Sequence, residues 1–321
     1  MPYWDIVARS FRIAWNHKYL WLIGLLSGEG GGFSFNYSQG TTRTTTPGRP
    51  APSPDFAAVQ QQIATWIADH IALLVLIAVA WLILVVALFI LGAICEGATV
   101  RAAAEHDAER PFGLGWAWRS GRTTMWAIVR LRLLILALSL PLIVLFAGLA
   151  IGVFAALVSK NYVAVLPLVL LGLALLLVAI PYAIYVSFLD RFGARALVLE
   201  QLAARPSIVR AHRLLRKRLG RSLLVWLISI GVSIALGIGL ACALALVAVP
   251  FFILGAFIAT GSSAAIVPLV ILGVVLLVPI ALVVQGFVAA EISTYWTLAF
   301  RRLDLDYPPA AAAPTAQALP G

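Results

Sequence analysis

Long apolar tracts alternate along this chain with short amphipathic and basic stretches. Five tracts carry no Asp, Glu, Lys, Arg or His: about Ile71 to Cys95, Leu133 to Val158, Tyr162 to Leu189, Leu223 to Phe251–Phe257 and Ala264 to Ala290. Charge-free runs of at least ~18 apolar residues are the mark of membrane-spanning helices. A sixth, shorter run, Tyr19 to Leu26, stops after eight residues at Ser27-Gly28. It is expected to cross by borrowing part of the preceding amphipathic stretch or by tilting within a bundle. The pattern therefore predicts an all-α polytopic membrane helix bundle with six spans. Residues 1–302 form one transmembrane domain, with a flexible Gly/Thr/Pro-rich loop at 28–56, a tight outer turn at Ser159-Lys160-Asn161, another at 261–263, and a disordered tail from 303 to 321.

The stretches between the tracts have their own periodicity. In residues 2–18, Trp4, Val7, Ala8, Phe11, Ala14 and Trp15 follow one helical face, and Asp5, Arg9, Arg12 and Asn16 the other. Residues 111–122 hold Trp116, Trp118, Arg119 and Arg122 in a poorer amphipathic pattern. In Arg205 to Arg221, Ile208, Ala211, Leu215, Leu219 and Ser222 make a narrow apolar stripe. The cations Arg210, Arg213, Arg216, Lys217, Arg218 and Arg221 make this the most basic segment of the chain. Pro206 and Ser207 read as its helix start, with Ser207 as the N-cap. Helices of this kind are expected to lie in the interface, apolar stripe toward the acyl chains and cations toward anionic headgroups. Residues 57–70 predict a further short interfacial helix.

The three arms suggest an internal repeat. PLVLLG at 167–172 and PLVILG at 268–273 match at an offset of 101 residues, and prolines 2, 111, 206 and 308 divide the chain into thirds. The spans are thus expected in three repeated pairs, within units of about 2–110, 111–205 and 206–307.

The formal net charge of +10 gains meaning by position. Twenty cations flank the same ends of the spans, whereas only Arg43, Arg49 and Lys160 flank the other ends. The positive-inside rule then places both termini in the cytoplasm of a bacterial cytoplasmic membrane. The cations alternate with apolar positions and no nucleic-acid motif accompanies them, so nucleic acid is not an expected partner. An anionic inner leaflet is the expected partner, with a cytoplasmic protein as a second. The two cysteines, Cys95 and Cys242, lie in or at the end of apolar tracts and read as small core residues rather than as a disulfide or metal site.

Candidate chemistry is thin. Glu96, Asp190 and Glu291 stand at the cytoplasmic ends of alternate spans, and Arg101 and Arg195 follow the first two by five residues. This polar cluster is expected to pair acids with arm or strip arginines and pin them; convergence into a polar mouth is the alternative. The run Glu105, His106, Asp107, Glu109 has acid–base residue types but reads as a solvated loop, and His17 and His212 as interfacial. No HExxH, GxSxG, phosphate-binding loop or metal-ligand spacing occurs, so no catalytic, cofactor or metal residue is expected.

The opening WDIVARSFRIAWNHKYLWLIGLL and the strip ARALVLEQLAARPSIVRAHRLLRKRLG resemble stretches of uncharacterised bacterial six-span membrane proteins. Both are also similar to the membrane domain fused to some glycerophosphodiester phosphodiesterases. The catalytic His and acidic metal ligands of the soluble phosphodiesterase domain have no counterpart in this sequence. The resemblance implies a location and a fold style, and assigns no active-site residue. The expectation is a membrane scaffold or lipid-interacting module. The alternatives are a permease-type transporter subunit docking an ATPase through loop 190–221, and a membrane enzyme using Glu96, Asp190 and Glu291.

Overall fold

The computed structural model describes residues 3–28, 56–259 and 266–303. Every described element is a helix: α1 (Tyr3–Asn16), α2 (Tyr19–Ser27), α3 (Phe56–Asp69), α4 (Ile71–Asp107), α5 (Leu114–Val158), α6 (Tyr162–Leu199), α7 (Ala204–Lys217), α8 (Leu219–Ala259) and α9 (Ile266–Leu303). Five of them, α4, α5, α6, α8 and α9, are long and apolar enough to cross a membrane, which makes this a multi-pass membrane protein. By contrast α2 has nine residues and rises only ~14 Å, less than half a hydrocarbon core. The loop expected at 28–56, the turn at 261–263 and the tail lie outside the described residues, apart from Gly28, Phe56 and Leu303.

The chain divides into two units, one of residues 32–90 and the other of everything else. In the first, α3 leads through His70 into α4; the Trp66 and His70 rings stack at 4.9 Å, and the apolar side chains of α4 up to Phe89 are outward-facing.

In the second unit, burial is concentrated at the ends of the long helices. Neither of the most apolar eighteen-residue windows of α5 and α8 contains a buried residue, against 6% of that of α6 and 17% of that of α9. Leu91–Asp107 of α4, the last third of α6 and residues 287–303 of α9 are instead almost entirely buried. Around them pack α1, α2, α7 and the start of α8. Trp296 is fully buried, edge-on to Phe188 at 6.0 Å and Phe192 at 5.7 Å. The polar stretches that follow the apolar tracts of α4 and α6, Glu96–Arg110 and Asp190–Arg205, are mostly continuations of those helices. Helix propensity explains this: Ala102-Ala103-Ala104 and Ala194–Leu199 contain nothing that breaks a helix.

Close helix approach requires glycine at a few points. A Cβ on Gly24 of α2 would sit 2.7 Å from the Ala290 nitrogen of α9; one on Gly286 would collide with the Trp21 carbonyl, and one on Gly121 of α5 with the Ile94 carbonyl of α4. The backbones touch there. Gly148, Gly231, Gly237 and Gly239 in the apolar windows face open space.

Four local expectations need correction. The second arm, 111–122, is not a separate interfacial helix: α5 starts at Leu114 and runs unbroken for 45 residues. Helix α7 starts at Ala204 with Ala203 at the cap position, and the Ser207 hydroxyl donates to the Ala204 carbonyl at 2.8 Å rather than capping. Pro206 fits within that first turn because its missing N–H has no partner to lose there. Of the stripe read as facing acyl chains, Ala211, Leu215 and Ser222 are buried within the protein, beside Ser207 and Leu214, while Ile208 is half-buried and Leu219 is exposed. Finally, Cys95 is buried as expected but Cys242 is exposed on α8.

Candidate functional site

The polar groups that matter lie in the buried helix ends. Glu96, on the first turn past the apolar run of α4, is 2% exposed. It accepts from Arg132 of α5 at 2.6 Å and 3.0 Å through one carboxylate oxygen. One turn on, Thr99 accepts from Ser293 of α9 at 3.2 Å. Glu291 is buried on α9 and accepts from Ser10 of α1 at 2.9 Å; its second oxygen has no hydrogen-bond partner. Asp190 is half-buried on α6, and Arg195 is fully buried, donating to the Arg191 carbonyl at 3.0 Å. Arg191 itself lies over the Trp296 ring at 4.7 Å.

Thus the expected cluster is spread over several contacts. Glu96 meets Arg132 on α5, Glu291 meets a serine, and Arg101 pairs with Glu105 at 2.9 Å. Among the described residues, no three His, Cys, Asp or Glu side chains are placed to hold a metal ion.

The run 105–109, read from sequence as a solvated loop, is instead the end of α4 and a junction of helices. Glu105 is buried between Arg101 and Arg110. Asp107 binds Arg9 of α1 at 2.7 Å and Arg301 of α9 at 2.6 Å. The same two arginines donate to the backbone carbonyls of Asp107 and Ala104 in the last turn of α4. His106 stacks on His17 at 3.6 Å, and the Tyr19 hydroxyl meets its Nε2 at 2.6 Å. Burial, and then the neighbouring His17, push His106 down to about 4. A neutral His106 accepting the tyrosine proton fits this geometry. The signal that marked the run as helix was the alanine triplet before it, with Arg101 four residues ahead of Glu105.

The basic arm divides in two. Arg213, Arg216 and Lys217 of α7 and Arg221 of α8 are exposed, and Arg210 pairs with Glu200 at 3.3 Å. Arg218 lies in the break between α7 and α8, with its Nη1 buried and without a hydrogen-bond partner. The other wet face is that of α1. Its Ile6, Ser10 and Ile13 are buried, whereas Trp4, Phe11 and Trp15 are exposed. Phe11 and Trp15 contact Phe287 of α9 edge-on at 5.2 and 5.7 Å. At the start of α5, Trp116 and Trp118 are exposed and Arg119 lies 5.8 Å over the Trp116 ring.

Chemically, this arrangement neutralises buried charge at helix ends and leaves aromatic and cationic side chains on the surface of the same region. It is a helical multi-pass membrane protein with a polar, closely packed end. The chain belongs to a family of unknown function, DUF7544, whose model matches residues 12–307. No curated protein and no solved structure matches it.

Proposed function

We propose that the protein is a scaffold of the bacterial cytoplasmic membrane that grips the anionic inner leaflet with its arms. The observation that carries this reading is the way α7 is held. Its apolar stripe is locked into the protein, and the opposite face presents Arg205, Arg213, Arg216 and Lys217 outward from a fixed support. A mobile basic segment would lose conformational entropy on meeting a charged surface; a docked one has already lost it. Each cation near an anionic leaflet contributes about 1 kcal/mol before screening. The exposed Trp4, Trp15, Trp116 and Trp118 are the side chains that favour a membrane interface.

The packed end faces the cytoplasm, the chain crosses six times in three pairs, and both termini are cytoplasmic. Parity supports the count. The Arg9–Asp107 pair holds α1 beside the end of α4. Since α4 crosses, one more crossing falls between α1 and α4, the stretch that begins with α2.

Photocrosslinking side chains at positions 4, 118 and 213, in native membranes, test the reading. Lipid adducts from all three are expected, and arms that label neither lipid nor protein would defeat it. The outward face of α7 would also accept an acidic protein surface. A cytoplasmic ATPase captured from position 213 would favour the permease-type subunit docking through 190–221 instead.

A further inference from the structure

The polar face of α1, with Arg9, Arg12 and Asn16, forms one wall of a cleft of about 450 Å³. The ends of α4 and α9 close it, the latter with Arg302. Arg9 is committed to Asp107 at 2.7 Å, with Glu109 3.7 Å away. Two carboxylates also line the cleft. Asp5 sits in the first turn of α1, where the helix dipole favours it, and the Glu109 side chain is 85% exposed. Neither pairs with Arg12 or Arg302, and no other carboxylate among the described residues does. Two guanidinium groups thus enter one cleft without a described ion pair.

What adjoins the cleft indicates the ligand. A second groove, of about 630 Å³, runs along Trp4, Val7, Phe11 and Trp15, and it shares Ala8, Arg12 and Asn16 with the first. Arg12 and Asn16 therefore stand on a common rim, with a polar, cation-bearing hollow on one side and an aromatic, apolar one on the other. Guanidinium groups match phosphate oxygens in geometry as well as charge. Trp side chains prefer the zone where apolar and wet surroundings meet. A free anion would use the first hollow and ignore the second; a phospholipid would use both.

We propose that Arg12 and Arg302 bind the phosphate of one anionic phospholipid, with Asn16 as a further donor and the acyl chains along Trp4, Phe11 and Trp15. This rests on the lipid-interacting reading above and narrows it to one site. Native mass spectrometry of the full-length protein, titrated with phosphatidylglycerol or phosphatidylcholine, tests it. One tightly held phosphatidylglycerol is expected, and Arg12→Gln with Arg302→Gln should weaken it about tenfold or more. Arg12→Lys with Arg302→Lys keeps the charges without the guanidinium fork and should recover only part of the binding, which separates recognition from damage to the fold. The triple change Arg213→Gln, Arg216→Gln, Lys217→Gln should leave this single site unaltered. Wild-type affinity in the Gln pair would overturn the proposal, as would displacement of the lipid by inorganic phosphate at comparable concentration. If lipid adducts still formed at positions 4, 118 and 213, only the cleft would fall; if those adducts were absent as well, the scaffold reading would fall with it.

Discussion

The apolar middles of the long helices and the ends that continue them are the same rods, yet they are held in different ways. In the middles, large side chains such as Leu136, Phe154, Leu177 and Leu246 are exposed, and Gly231, Gly237 and Gly239 of α8 face open space. Lipid tails are as apolar as leucine, so this exposure has little cost and gives little drive for helices to associate. At the ends the surroundings include water, so burying Ile6, Leu20, Phe192, Trp296 and Phe300 together is favourable. The carboxylates and guanidinium groups that accompany them must then be paired. One region is specified by composition and tolerates change; the other is specified by contacts and does not.

Glycine substitutions probe that contrast most directly. Gly286→Val, where a side chain would collide with α2, is expected to destabilise the protein by about 3 kcal/mol or more, since backbone must move. Gly237→Val in the middle of α8 should change stability by less than about 0.5 kcal/mol. Thermal unfolding in detergent measures both, and equal effects would erase the distinction between the regions. Next comes the Glu96–Arg132 pair. Arg132→Met would strand a buried carboxylate and should cost about 3 kcal/mol, toward the lower bound for a buried pair because the arginine is partly exposed. Replacing both, Glu96→Leu with Arg132→Met, should restore much of that loss. A double variant as unstable as the single would mean that the pair does more than neutralise charge.

The smallest expected effect is a pH dependence at the end of α4. His106 is held near 4 against an ordinary value of 6.5, so folding favours its neutral form. Its penalty is absent above pH 6.5 and grows as pH falls from 6.5 toward 4, because the unfolded chain then binds a proton that the folded one refuses. His17 and Tyr19 face the ring, and the Tyr19 hydroxyl donates to Nε2 only while that nitrogen is unprotonated. His106→Gln should flatten the unfolding curve across that window. An unchanged slope would place the sensitivity elsewhere.

Several features were legible before any coordinates. The charge-free tracts marked all five long helices, and the stretches 2–18 and 205–221 were read as separate helices. The merger of 111–122 into α5 was not legible, because a weak amphipathic pattern looks alike whether a helix lies free or continues into a span. Nor was the junction at 105–109. Its charges suggest solvent to a reader who cannot see that Arg9 and Arg301, 98 and 194 residues away from Asp107, arrive to neutralise it. An arginine partner for Glu96 was foreseeable in kind, since a carboxylate at a span end needs one, but the same expectation for Glu291 was not met, because that carboxylate meets a serine. The partners themselves, Arg132 and Ser10, were not foreseeable.

What the sequence alone determined is where the chain is apolar and where it is charged, because hydrocarbon excludes charge whatever the fold. What only the tertiary structure decided is which charges meet, which stripe of α7 is buried, and where backbones touch closely enough to require glycine. Those depend on contacts between helices far apart in the chain, and short-range periodicity carries no record of them.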